Sequence, residues 1–506
     1  MTNNLISRPP KAAIVSFTDP RQTDFISERE AYIRTEHEML RKYLKGSGVD
    51  IVDPMDELRG LEGGIFGLAS TSEIKRAAEI INRNKAECLV FGLWHWTEPE
   101  LPLRLARLCN LPIALYTTDD PMWAGTVCIS AVGASLWEIR KPFFTGHFRV
   151  RGDKAPLVPW IKAQSAVSRL MQGTLLMWGG SYCLRMEHLR DDASLMKSDF
   201  IGDILTEDQY MLIRRAEDIL LNRPDRLASF SAWAEHEGMT AEYDGRMLTP
   251  QVHERQIALH LAAVDRLAEL RDEDIIGVSI KCQHELSVEY GVTACLLPGF
   301  LPFGLGPEGE RNAVATVCEG DTKGLYTCAA LHALNPKISP LFGDLKYFND
   351  EMILISNCGA SSLEWAAHPT EDSRGALSGV TYKPQCQGAS GGALGYAGRP
   401  GEVTVARLVR IAGDYFMQLG VGEVVSMDKN IWKKILWGQM WPHIPISMGG
   451  DFDASLFVQA VGSNHLSATY GDVSGEVEHL CRRLDIPVVH IDDADEMLGF
   501  VEGCKQ

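Results

Sequence analysis

Two carboxylates at the ends of apolar runs are the first residues of this chain whose types and spacing suggest chemistry. In residues 313–348, AVATVCEGDTKGLYTCAALHALNPKISPLFGDLKYF, the apolar run 314–318 stops at Glu319-Gly320-Asp321, and a second run, 338–342, stops at Gly343-Asp344. Such runs read as buried strands, and ligands of open α/β sheets gather beyond the carboxyl ends of strands. Glu319 and Asp344 brought to one edge would suit a hard cation or proton transfer. The same residue types also fit a plain strand-to-helix turn, with Asp321 as the N-cap of a helix marked by Leu325, Cys328, Ala329 and Leu331 and stopped by Asn335-Pro336.

The elements that must position these groups follow an α/β rhythm. Strands are predicted at 11–17, 49–52, 87–93 and 113–117, with helices from Ser27 to Gly46 and around 72–84 and 101–109, which is a doubly wound first domain over residues 1–170. Ser27-Glu28-Arg29-Glu30 reads as a capping box. Trp94-His95-Trp96 follows the third strand, and aromatic faces there suit either a sugar ring or an interface. After the charged and proline-bearing stretch RVRGDKAPLVP, a strand enters the Gly179-Gly180 turn, a helix carries Ile257, Leu261, Val264 and Ala268, and the strand 275–280 ends in Lys281-Cys282-Gln283-His284-Glu285. These make a second α/β domain, 171–340, carrying Glu319. Lys281 and Glu285 read as a solvated pair, and His284 as a helix-start or surface residue.

From 341 the texture changes to strands at 352–356, 403–411 and 416–425 with glycine-rich connections, which predicts a mainly antiparallel, barrel-like third domain, 341–506. The fold class is therefore two doubly wound α/β domains followed by a mainly antiparallel β-barrel-like domain. GASGGALGYAGRPG, residues 388–401, lacks the strand-to-helix context of a phosphate loop and reads as a loop beside the site. His443, between prolines, reads as pocket wall or structural support.

Composition limits the function classes. The 506 residues fit about three domains at the usual ~150 residues each, and 45% hydrophobic with 23% charged residues is ordinary globular composition. A net charge of −18 with no basic run argues against nucleic acid. Twelve cysteines occur without a C-x-x-C pair, which predicts free thiols and a reducing cytoplasm. The start MTNNLISRPPK has no hydrophobic signal core, and no apolar run approaches the length of a membrane span, so neither secretion nor membrane insertion is expected.

The segment resembles the metal-site region of the L-fucose isomerase family, where a Glu after a buried strand, an Asp some two dozen residues later and a His near the C-terminus bind a divalent metal. ATVCEGD, FGDLKYF and Ser463-Asn464-His465-Leu466 match these motifs in order. Gly320 stands where the family has Asn, and Leu466 where it has Gly. The resemblance implies a metal-dependent aldose–ketose isomerase with Glu319, Asp344 and His465 as ligands, and Glu319 and Asp344 as the acid/base pair of an ene-diol proton transfer. Two oxygen donors and one nitrogen suit Mn²⁺ or another divalent metal such as Co²⁺ or Mg²⁺, and the resemblance implies substrate contacts from Arg29, Trp94 and Gln283. It also implies a homo-oligomer, commonly a hexamer, with shared active sites. Two alternatives stay open: an isomerase for a pentose or an acidic, sulfonated sugar, and a non-catalytic sugar-binding protein.

Overall fold

The apolar strands form as their composition requires. In the computed structural model, which describes residues 5–21, 23–59, 64–139, 147–368, 375–386, 390–426 and 432–504, the chain divides into two compact units, residues 8–168 and residues 1–7 with 169–506.

The smaller unit is a five-stranded parallel sheet of β1 (Lys11–Ser16), β2 (Asp50–Val52), β3 (Cys88–Gly92), β4 (Ile113–Thr117) and β5 (His147–Arg151), in the order β2-β1-β3-β4-β5. β3 and β4 are buried along their whole length, as expected of parallel strands covered on both faces. The order reverses between β1 and β3, so the crevice beyond their carboxyl ends is this sheet's switch point. Helix Ile26–Gly46 begins without the capping box expected at Ser27: Phe25 is the N-cap and no side chain caps it. Glu30 turns inward instead, accepting from Thr18 Oγ1 at 2.5 Å and from the Phe66 and Gly67 amides at 2.7 and 3.1 Å. Three outside donors for one buried carboxylate outweigh a local cap.

In the larger unit, β6 (Thr174–Trp178), β7 (Asp203–Glu207), β9 (Ile275–Ile280) and β10 (Ala315–Cys318) form a parallel sheet in the order β10-β9-β6-β7, while the short β8 (Thr240–Ala241) pairs elsewhere. Then come β11 (Leu341–Phe348), β12 (Met352–Ser356), β13 (Thr381–Pro384), β14 (Gly392–Gly395), β15 (Gly401–Ile411), β16 (Asp414–Val424), β17 (His443–Met448), β18 (His465–Tyr470) and β19 (Val488–His490). Six of them run β15-β18-β11-β12-β17-β16, and β16 pairs back to β15, which closes an antiparallel barrel. β19 adds to β16 in parallel. The expected α/β and barrel classes are both present.

Two expectations are corrected. Residues 338–342 were expected to form a strand ending at Asp344, but β11 continues through Asp344 to Phe348, because its antiparallel neighbours β12 and β18 hold the backbone beyond Gly343. Within 388–401, expected to be a loop, residues 392–395 are strand β14 on β13; 388 and 389 lie outside the described residues. Gly392 suits that strand because a Cβ there would lie 2.3 Å from the Tyr382 ring. No helix among the described residues is long and apolar enough to cross a membrane.

Candidate active site

The site is assembled where the parallel sheet meets the barrel. Glu319 follows the last residue of β10 with φ +64°, and Gly320 continues at φ +66°. This pair of left-handed residues breaks the strand and turns the Glu319 side chain away from the sheet's path. The turn is held from outside: Cys183 N donates to Glu319 O at 2.9 Å and Tyr182 N to Gly320 O at 2.8 Å. A Cβ on Gly320 would lie 2.6 Å from Tyr182 N, which accounts for glycine here. Gly320→Ala is therefore expected to destabilise the chain by at least about 1–2 kcal/mol from the left-handed backbone alone, read from urea unfolding midpoints, and to lower activity by displacing Glu319.

Helix Thr322–Leu334 starts on Asp321, whose Oδ1 accepts from Gly324 N at 2.8 Å. Every residue of this helix is buried, as an apolar helix wedged between sheet and barrel must be. Asp344 and His465 are directly opposed in the antiparallel register of β11 and β18. Opposed residues share one face of the sheet, so both side chains meet on the same side.

These placements bring together the three residues expected to act. His465 Nε2 lies 3.2 Å from Glu319 Oε2 and 3.4 Å from Asp344 Oδ1. Its other nitrogen, Nδ1, lies 2.8 Å from Asp321 Oδ2, which assigns a proton to Nδ1. Asp321 is in turn gripped by Arg407, with Nη1 at 2.6 Å and Nη2 at 3.1 Å, both side chains fully buried. Asn464 Nδ2 donates to Asp344 Oδ1 at 3.0 Å, and its Oδ1 meets His188 Nε2 at 2.7 Å. Cys358 Sγ approaches Glu319 Oε1 at 3.6 Å.

The electrostatics follow from this packing. Burial alone would raise the Asp321 carboxyl pKa, but the Arg407 charge and the His465 hydrogen bond hold it well below the carboxylate range. Burial alone would lower the His465 pKa, yet Asp321, Asp344 and Glu319 around it raise it well above its ordinary value. In the absence of a cation His465 is thus an imidazolium among three carboxylates.

The residue types gathered here, one imidazole and two carboxylates, are those that ligate divalent cations. His465 Nε2 is buried and makes no aligned hydrogen bond, while two carboxylate oxygens from separate chain segments face it. One imidazole nitrogen and two carboxylates suit Mn²⁺ or a similar ion. Among the described residues no group of three or more His, Cys, Asp or Glu side chains is arranged to hold a metal ion.

The remaining expected residues fall in different places. Gln283 accepts from Ser287 Oγ at 2.6 Å and lines a small cavity with Cys318 and Cys358, the neighbours of Glu319. Lys281 and Glu285 pair at 2.5 Å, as expected. His443 is fully engaged, Nδ1–H on Trp441 O at 2.8 Å and Nε2 accepting from Lys346 Nζ at 3.0 Å, in keeping with a supporting wall. Arg29 and Trp94 belong to the smaller unit. Trp94 is wholly buried and donates to Ser16 Oγ at 2.7 Å, so the ring surface at this strand end comes from His95 and Trp123, 5.4 Å apart, with Tyr32 stacked on Trp123 at 5.0 Å. Arg29 is buried, with Nε on Glu30 Oε1 at 3.0 Å and both terminal nitrogens without a described partner.

Sequence reasoning missed Arg407 and gave Asp321 only a capping role. A signal existed for the first: Arg407 continues the alternation of Val403 and Val405 in an otherwise apolar strand, where a charge requires a buried partner. Asn464 and His188 carry no comparable signal.

Residues 355–492 match the family model described as L-fucose isomerase, C-terminal domain. That segment contains His465 and Arg407 but neither Glu319 nor Asp344. No curated protein matches the chain.

Proposed function

We propose, from the match of residues 355–492 to the C-terminal domain of L-fucose isomerase, that the chain is a member of that family and a metal-dependent aldose–ketose isomerase acting on a fucose-like sugar. One observation carries the reading: Glu319, at the end of the parallel sheet, and Asp344, in the barrel, converge on the same nitrogen of His465. A sugar-binding module has no need of such a triad.

Glu319, Asp344 and His465 would hold a divalent cation, which supplies Lewis-acid polarisation of adjacent carbonyl and hydroxyl oxygens. The chain's own groups do the rest. A C–H beside a carbonyl is a weak acid, and a free carboxylate with a pKa near 4.3 is a weak base. Glu319 and Asp344 would remove the proton from one carbon and return it to its neighbour through an ene-diol. Asp321 keeps the Nδ1 proton of His465 in place, so that Nε2 presents its lone pair. The buried position of Glu319 limits competing water. Gln283 is assigned to sugar hydroxyls, in an active site shared between subunits of a cytoplasmic homo-oligomer, whereas the burial of Arg29 and Trp94 takes both away from that role.

Ketose formation from a panel of aldoses (fucose, arabinose, sulfonated glucose) tests this, using protein stripped by chelator and then given Mn²⁺. Metal-dependent conversion of one sugar is the expected result. Sugar binding with no conversion of any member would replace the isomerase reading with that of a binding protein.

The raised pKa of His465 adds a second expectation. Its Nε2 proton is present at neutral pH and must leave when a cation binds, so Mn²⁺ affinity should rise with pH and binding should release close to one proton. Calorimetric titration in two buffers of different ionisation enthalpy measures that release. Equal heats in both buffers would show that His465 gives up no proton to the metal.

A further inference from the structure

A second cavity lies at the opposite edge of the β10-β9-β6-β7 sheet from Glu319. It opens where Asp274 precedes β9 and Val314 precedes β10, whereas Glu319 follows β10. Its volume is about 350 Å³, within the roughly 300–1,000 Å³ range of small-molecule sites. The walls are largely aliphatic, with Leu5, Leu267, Ile275 and Leu301 among them.

Arg311 stands in this wall without a counter-ion. Its Nη2 donates to Phe300 O at 2.8 Å and lies 3.5 Å from His260 Nε2. Gly306 leaves room for Nη1, since a Cβ there would lie 2.7 Å from it. Nε is buried and has no hydrogen-bond partner. Among the described residues no ion pair includes Arg311. Glu308, the carboxylate that acts on it from a distance, is held by Arg226 Nε at 2.7 Å. His260 offers no negative charge: burial, followed by the Arg311 and Arg226 charges, pushes its pKa well down and keeps the ring neutral. Burial likewise lowers the guanidinium pKa, to about 10, against the weak opposing effect of Glu308. The other charged wall residues are Arg271, which pairs loosely with Asp272 at 3.8 Å, and Asp274.

A half-buried cation without a counter-ion is costly, and an apolar hollow beside it favours hydrocarbon. We propose that this cavity binds a small amphipathic carboxylate, its hydrocarbon body lying against Leu267, Ile275 and Leu301 and its carboxylate pairing with Arg311. A carboxylate against the face of the guanidinium that lines the cavity would give Arg311 the counter-ion it lacks among the described residues, and charge-assisted hydrogen bonds of this kind are the strong ones. The site is independent of the isomerase reading, because none of its residues belongs to the Glu319 site.

The full chain titrated with octanoate, octan-1-ol and octylamine, with binding read by calorimetry and thermal midpoint, tests the proposal. Octanoate should bind saturably and raise the midpoint, while the alcohol and the amine bind at least tenfold more weakly. Arg311→Gln should weaken octanoate at least tenfold. Ala268→Trp, on the exposed rim of the same cavity, should block it with Arg311 untouched, so the test stands even where Arg311→Gln folds poorly. Absence of saturable octanoate binding, equal binding of octan-1-ol, or octanoate binding unchanged by Ala268→Trp would overturn the proposal.

Discussion

Glu319→Gln is expected to lower metal-supported ketose formation by about 10²–10⁴, the usual contribution of a positioned acid/base group. The substitution keeps the shape of the side chain and the left-handed turn that Glu319 and Gly320 share. It removes the carboxylate that lies 3.2 Å from His465 Nε2 and leaves Asp344 as the only charged oxygen donor of the triad. Mn²⁺ affinity measured on the same protein separates two effects. A fall in turnover with saturating Mn²⁺ bound assigns Glu319 to proton transfer, whereas near-normal turnover under those conditions removes it from that role. Asp344→Asn is the companion experiment, and its interpretation is cleaner on one point: Asn464 Nδ2 already donates to Asp344 Oδ1, so an amide there must turn its oxygen to the same donor.

Asp321→Asn is expected to have the largest effect on stability. Arg407 and Asp321 are both without exposure, joined by two hydrogen bonds of 2.6 and 3.1 Å. Neutralising one partner leaves an uncompensated buried charge, which costs about 3–5 kcal/mol. The same change weakens the hold on His465 Nδ1, and loss of a carboxylate behind a metal-binding histidine typically reduces metal affinity 10–100-fold. Urea unfolding and Mn²⁺ titration measure the two consequences separately. The variant should also lose part of its acid sensitivity. Because the folded Asp321 pKa is held below its unfolded value of about 3.9, its stabilisation is present above that pH and fades as pH falls through the folded pKa. An unfolding profile between pH 5 and 2 that is identical in the parent and the variant would show that the Asp321 pair contributes nothing to stability.

The candidate site was legible in part, and the division has physical reasons. Glu319 stood out because a buried apolar run ended on a carboxylate, and β10 does end there. Asp344 was found for a partly wrong reason. Its run was expected to stop, whereas β11 carries it in mid-strand, because antiparallel neighbours extend a strand beyond the point where its own hydrophobic pattern fades. His465 carried no local signal of function, and only its match to a family motif singled it out. The Ser27 capping box failed since capping is a local preference that a buried carboxylate with three distant donors overrides.

By itself the amino-acid sequence determined the alternation of buried strands and helices, the change to antiparallel texture after residue 341, and the break at Glu319-Gly320. All of these follow from periodicity and backbone preference within a few neighbouring residues. The tertiary structure alone decided that β16 returns to β15 to close the barrel, that Asp344 faces His465 in register, and that Asp321 and Arg407 lock the imidazole from behind. The contacts of Asp321 with Arg407 and His465 join residues 86 and 144 positions apart, and their geometry is set by strand register and core packing, which no local pattern encodes.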